Sequence, residues 1–427
     1  MTVPAGIGAP GAVVVVGETR NWVLIGSLGL VFFVLLALYA SILGVLLPNQ
    51  IENIDPAGKM ATLGVVFAIT SVFSTITTPV AGALSDRTRS RFGRRTPWIV
   101  IGGVVGGTAT ILIPFGGNIV GVTAFWLVAT VSLNSMQPAI TTIVADRFAA
   151  TERGLVSGVV GAAMTAGVSA GMIFGGLFAA QLTVAYAVIG GGIIAACLLF
   201  VVLNPEPGLD VPLAAPERFR LASFLRGFWI DPKAHPDFAW ALLGRFSIYM
   251  GYQAIITYLL YILEGYIGLN QAAANLTIAR MSSLTFVALV LSGLLSGWLS
   301  DRIGRLKPLV FIAGLVMALA ELAPLVSPDL QGMFVYAGLI GIGYGAFMSI
   351  DLALMTRVLP ERAPGEDSTG KDLGILTTAI NVPQILAPVM AAGLLQATGQ
   401  NYALLFMVAA TFVVVGACFV LPIRSVR

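Results

Sequence analysis

Long apolar stretches, separated by short segments carrying charge, proline or glycine, recur along the whole chain. Twelve of them approach or exceed the ~20 residues a helix needs to cross a bilayer. They run over 22–47, 60–84, 97–115, 120–144, 155–180, 183–203, 238–264, 272–299, 309–326, 332–356, 373–397 and 401–422. The runs are long, continuous and rich in Leu, Ala and Gly, which predicts helices; a membrane barrel shows short alternating segments instead. Several exceed 20 residues, predicting tilt or extension beyond the hydrocarbon. No Lys or Arg precedes Arg20, and the Ala12–Val16 run is too brief for a signal-peptide core, so the first helix is expected to stay uncleaved.

Composition agrees. The 427 residues are 57% hydrophobic and 10% charged, with a mean hydropathy of +0.94. A soluble chain carries about 25% charged residues, so a soluble enzyme, a disordered chain and a nucleic-acid binder are set aside. Two cysteines and one histidine leave almost no material for a disulfide framework or metal site. No metal and no cofactor are expected. Cys197 and Cys418 occupy corresponding places in the sixth and twelfth runs and are expected to be buried and inert. No nucleophile lies beside a base, so enzymatic activity is not expected.

The net charge of +3 says less than where the charges sit. With an even number of spans both termini share a side. Placing them in the cytoplasm puts 20 of the 23 basic residues there: Arg20, the run Arg87, Arg89, Arg91, Arg94 and Arg95, then Arg147 and Arg153, Arg218, Arg220, Arg226 and Lys233, Arg302, Arg305 and Lys307, Arg357, Arg362 and Lys371, and Arg424 and Arg427. Cytoplasmic loops carry such an excess, so both termini are expected inside. Lys59 alone falls clearly at the outer face, and Arg245 and Arg280 fall within spans.

The chain divides into two six-helix halves, 1–203 and 238–427, joined by a proline-rich segment, 204–237, read as a cytoplasmic linker. The only histidine, His235, is read there as a solvated residue rather than a pH sensor. Gly82-Ala-Leu-Ser-Asp86-Arg87 closes the second span, and Gly297-Trp-Leu-Ser-Asp301-Arg302 closes the eighth, 215 residues on. Each is followed by a Gly–Arg step, at Gly93-Arg94-Arg95 and Gly304-Arg305. Halves repeated along the membrane normal, with a substrate site between them near the midplane, are the plan of one large class of secondary transporters.

The stretch from Gly82 through Trp98 resembles the loop 2–3 signature of the major facilitator superfamily. In its extended form, with Lys371-Asp-Leu-Gly-Ile-Leu-Thr-Thr-Ala-Ile-Asn-Val-Pro-Gln384, it resembles the glycoside–pentoside–hexuronide and sucrose-transporter-like branch. The resemblance implies an all-α membrane protein of twelve transmembrane helices in two pseudo-symmetric halves. It also implies a cytoplasmic latch between the halves, built here from Asp86, Arg87, Gly93, Arg94 and Arg95 with Asp301, Arg302 and Arg305. Asp146 and Arg153 resemble the loop 4–5 pattern and are read as gate or structural residues. Gly167, Gly171 and Gly175, and Gly293 and Gly297, are small-xxx-small steps suited to close helix packing. Gly338-Leu-Ile-Gly-Ile-Gly343 lacks the strand–helix context of a dinucleotide loop.

Ionisable groups inside a bilayer are costly and usually functional. The first half has none in its span centres, unlike melibiose-permease-type members of the branch, which speaks against sodium coupling. The second half holds Arg245, Glu264, Arg280, Glu321 and Asp351. Depth pairs Glu264 with Arg280 and Arg245 with Asp351, as structural staples or as coupling groups. Glu321 has no partner at its depth and is the leading proton site, because burial favours the neutral acid; Asp351 is next. Neutral polar stripes mark candidate substrate faces: Asn134, Gln137 and Thr141, then Tyr249, Tyr252 and Gln253, then Thr377, Asn381 and Gln384, with Tyr39 a weaker addition. These groups suit a polyhydroxylated solute, and equally suit hydrogen bonds between helices. The expected protein is a monomeric multi-pass carrier of the plasma membrane, driven by a proton gradient and taking up a sugar or glycoside. Its partners are a small-molecule substrate and the lipid bilayer, with no nucleic acid. The rivals are proton-driven efflux of an amphipathic compound and a non-transporting receptor or scaffold on the same fold.

Overall fold

The computed structural model describes residues 21–149, 152–206, 235–358 and 369–423, without the side chains at 145, 301, 352, 353, 356, 357 and 369–381. Most of the expected linker therefore lies outside the described residues, as do the side chains of Asp301 and Asn381. Every regular element described is helical. Helix α1 (Trp22–Ser41) passes through a π-helical turn (Ile42–Leu46) into α2 (Leu47–Ile54). There follow α3 (Lys59–Arg87), α4 (Thr96–Leu112), α5 (Ile119–Arg147), α6 (Arg153–Phe178) and α7 (Leu182–Leu203). The second half holds α8 (Pro236–Thr257), α9 (Leu259–Gly265), α10 (Gln271–Ile303), α11 (Lys307–Val326), α12 (Leu330–Val358), α13 (Thr369–Ala397) and α14 (Tyr402–Cys418).

These helices account for the twelve expected crossings. Eight stretches are long and apolar enough to span, and one of them, Arg153–Leu203, has 51 residues. At 1.5 Å per residue that is roughly 75 Å, over twice the ~30 Å hydrocarbon. It breaks at Gln181, whose φ of −125° and ψ of 61° leave the helical region, and so forms two spans. Helices α8 and α9 make one span bent by 54°, and α13 and α14 supply the last two. Asparagine starts four of the helices: Asn21, Asn118, Asn270 and Asn401 each accept a backbone N–H from three residues on, satisfying a donor the helix leaves free.

The halves repeat in packing as well as in sequence. In the first, the α1–α2 span packs on α6 and α7, α4 on α5 and α7, and α3 on α5. In the second, the α8–α9 span packs on α13 and α14, α11 on α12 and α14, and α10 on α12. Each pair has its counterpart six spans later. The halves meet through α3 against α13 and α6 against α10, a pair of contacts that the same repeat interchanges. Close approach depends on glycine where expected. A Cβ on Gly171 would lie 2.2 Å from the Ala37 carbonyl oxygen, and one on Gly167 would lie 2.3 Å from that of Phe33.

Candidate functional site

The ionisable groups within the spans belong to the second half: Arg245 and Asp351 lie toward the basic end, and Glu321 lies past the middle of α11 toward the other. Arg245 on α8 and Asp351 on α12 form the expected ion pair, at 3.1 Å and with both side chains over nine-tenths buried. The approach is off the line a hydrogen bond needs, so Arg245 Nε and Nη1 and Asp351 Oδ2 stay buried without hydrogen-bond partners. Glu321 on α11 is fully buried, and neither of its oxygens has a hydrogen-bond partner. The sequence reading gave it no partner at its depth, and among the described residues no group hydrogen-bonds to it. Tyr252 and Tyr336 lie within its electrostatic reach, and the Tyr336 hydroxyl is likewise buried and unpaired.

An aromatic wall adjoins these groups. Tyr252 stacks on Tyr344 with ring centroids 4.5 Å apart. Tyr249 meets Tyr344 and Phe347 edge-on, and its hydroxyl reaches Met348 Sδ at 3.0 Å. Tyr344 was not singled out from the sequence; its i+8 spacing to Tyr336 on one helix was the available signal. Gln253 donates to Thr257 at 3.1 Å, Gln137 is half-buried and Gln384 is exposed.

Two expected substrate residues are occupied otherwise. The Asn134 amide donates to the Tyr39 hydroxyl at 2.9 Å, to Thr130 O at 2.8 Å and to Ser74 Oγ at 3.3 Å. Thr78 donates to its oxygen at 3.4 Å. This is a staple across three helices of the first half, the commoner fate of a membrane amide.

The basic end carries the expected cluster. Arg95 pairs with Asp86 at 2.7 Å and with Asp146 at 3.1 Å, while Arg94 reaches Asp146 at 3.0 Å. Arg95 also donates to Ser85 at 3.0 Å. Gly93 has φ +93°, which a glycine accommodates freely. Glu206, which the sequence left in the linker, accepts the backbone N–H groups of Arg95 at 2.8 Å and Thr96 at 3.2 Å. Its carboxylate caps the start of α4, where an anion is favoured. Arg153 donates to Phe148 O at 3.2 Å. Each of these pairs joins parts of the first half. In the second half Arg302 lies over Trp298 at 5.4 Å, Arg305 is exposed, and Gly304 caps α10 with φ +65°.

Two expectations are corrected. Glu264 pairs with Lys59 at 2.6 Å rather than with Arg280, which is exposed. Depth along a span constrains height and not the facing direction, and Glu264 faces the first half. Cys418 is exposed, since the last turn of α14 turns that position outward; Cys197 is buried.

At the end opposite the basic loops the halves are joined. Asn49 and Asn275, both buried, exchange amide hydrogen bonds at 2.9 and 2.8 Å. Tyr258, at the bend between α8 and α9, donates to Pro388 O at 3.0 Å and Met60 O at 3.3 Å. Tyr261 donates to Pro48 O at 3.0 Å.

Two bundles of six spans, repeated in packing and closed together at one end, constitute a known architecture. The sequence matches the profile of the Major Facilitator Superfamily over residues 27–365 and 241–426. The chain belongs to the Major Facilitator Superfamily. Its fold is the multi-pass membrane architecture of that family. A stretch of 170 residues, 39% of this chain, is 29% identical to the di-/tripeptide transporter of Lactococcus lactis subsp. lactis (strain IL1403) and covers 32% of it. A shorter stretch of 52 residues is 52% identical to an uncharacterised symporter of Synechocystis sp., covering 12% of this chain and 9% of that one. The facilitator thus spans a third or less of the length of these relatives. Solved structures of a bacterial homologue of the human lysosomal transporter Spinster, inward-facing, superpose with TM-scores of 0.66 unoccupied and 0.68 occupied. Their identities are 14% and 16%, over 95% and 94% of this chain and 95% and 96% of those. That likeness is one of fold.

Proposed function

We propose that this facilitator is a proton-coupled secondary transporter working by alternating access, with the basic end and both termini in the cytoplasm, and that it takes up a sugar or glycoside. The observation that carries the coupling is Glu321, fully buried with both oxygens free of hydrogen bonds among the described residues. An isolated ionised carboxylate costs far more in such a place than the neutral acid does. A group of this kind takes a proton from one side and gives it up when the cavity opens to the other. The Tyr252–Tyr344 stack beside it offers flat apolar faces with hydroxyls at their edges, which suits the faces of a sugar ring. The first half has no charge in its span centres, so it offers no counterpart for a zwitterion, and a neutral solute fits better than a free peptide.

One observation favours a second reading, proton-driven export of an amphipathic compound. Asn134 and Tyr39 satisfy each other, which leaves the first half with fewer hydrogen-bonding groups for a polyol. The test is uptake of a labelled saccharide panel into proteoliposomes under imposed proton or sodium gradients, with wild type and Glu321→Gln. Proton-driven accumulation lost in Glu321→Gln, with counterflow retained, is expected. Unchanged dependence on the proton gradient in that variant overturns the coupling role. No saccharide counterflow, together with extrusion of apolar dyes, overturns the sugar in favour of export.

A further inference from the structure

The closed end holds a cluster that the transport site does not use. Lys59 Nζ, at the start of α3, touches Glu52 Oε1 on α2 and Glu264 Oε2 on α9, each at 2.6 Å. Glu52 and Lys59 belong to the first half and Glu264 to the second. The two carboxylates converge on the same ammonium. Among the described residues the remaining neighbours add no second cation: Tyr261 places its ring 4.6 Å from Lys59 Nζ, Gln271 donates to Glu52 Oε2 at 3.3 Å, and Gln400 and Tyr402 line the same recess. Asp55 is engaged elsewhere, accepting from Gly58 N and Thr62 Oγ1. Glu264 Oε1 is buried with no hydrogen-bond partner.

Closing this end therefore brings a carboxylate up to a Lys–Glu pair that is already neutral. Fully ionised, the triad carries one excess negative charge in a place largely removed from water. One proton on Glu264, whose second oxygen is buried without a partner, cancels it. When the end opens, Glu264 leaves with its half and returns to water, where the ionised form is cheap. Beneath the triad the Asn49–Asn275 pair and Tyr258 fill the junction, so protons reach it from the outer face.

We propose that Glu52, Lys59 and Glu264 form a second proton site, at the outer gate, that is loaded from outside as that gate shuts. The orientation rests on the function proposed above; the site itself rests on the contacts between halves. In such a cycle outside acid promotes occlusion as well as coupling.

The test reads conformation and not transport. It uses the full chain in nanodiscs with Glu321→Gln and Cys418→Ser, so that neither the buried carboxyl of α11 nor the exposed thiol contributes. Spin labels at Ala57→Cys and Ala397→Cys, both exposed and on opposite halves, report the outer gap by electron-electron distance measurement. With a single linked proton the closed-to-open ratio should rise up to about tenfold per unit fall in pH across the titration. Glu264→Gln and Glu52→Gln should each flatten that dependence. Lys59→Ala should open the gate at alkaline pH, where two carboxylates face each other alone, and recover closure in acid. A pH dependence that survives both Gln variants, or Lys59→Ala that acid does not close, overturns the proposal. Either result leaves the role of Glu321 to its own transport assay.

Discussion

The reciprocal amide pair at the outer junction gives a prediction whose size follows from geometry. Asn49 and Asn275 are 1% and 5% exposed and exchange two hydrogen bonds across the halves, at 2.9 and 2.8 Å. Asn49 also donates to Val45 O at 2.7 Å, a bond within its own half that survives opening. In the proposed alternating-access cycle both amides meet water when this end opens, so each bond between them contributes its net value of about 1 kcal/mol. Two bonds favour the closed gate by about 2 kcal/mol, or about thirtyfold in population. Asn275→Ala leaves the Asn49 oxygen buried without a donor, and Asn49→Ala does the same to Asn275, so each single variant should lose at least that much. The double variant should lose much less than the sum. A double-mutant cycle on the closed-to-open ratio, read by distances across the outer gap, should therefore return a coupling of about 2 kcal/mol. A coupling below about 0.3 kcal/mol, the additivity expected of independent sites, would refute the view that this pair clamps the gate.

Two further outcomes follow from buried contacts. Arg245→Ala strands Asp351 in a site only 3% exposed and should destabilise the detergent-extracted protein by about 3–5 kcal/mol, while replacing both partners by apolar residues should restore most of the melting temperature; equal loss in single and double variants would contradict this. Gly171→Val should abolish folded, monodisperse protein because even a Cβ there meets backbone at 2.2 Å, whereas Gly161→Ala, with nothing within 4 Å, should behave as wild type by size-exclusion chromatography.

Height in the membrane was legible in the sequence, because runs of apolar residues count it out. The twelve spans and the Arg245–Asp351 pair follow from height. Azimuth was much less legible. Glu264 and Arg280 stand on adjacent spans, yet the 54° bend at Tyr258 and the packing of α6 on α10 turn Glu264 to the first half and leave Arg280 outside. Lys59 read as an isolated outer cation because its two acids stand 7 and 205 positions away. Glu206 read as linker because its target is a backbone N–H, which has no signature in side-chain identity. Asn134 shows the converse limit: a polar stripe on one helix says that partners are needed, and not whether they are helices or substrate.

The absence of charge from the first-half span centres has an electrical consequence. A membrane voltage does work only on charge that moves through it, at about 2.3 kcal/mol per elementary charge per 100 mV. With Arg245 and Asp351 cancelling each other, Glu321 is left as the group whose charge state in the span centres can change among the described residues. In the proposed cycle the first half is then an insulating wall, and within the span interiors the field acts on the carrier through Glu321 of the second half. If the proposed proton coupling holds, empty and proton-loaded carriers differ in the steps that voltage can drive.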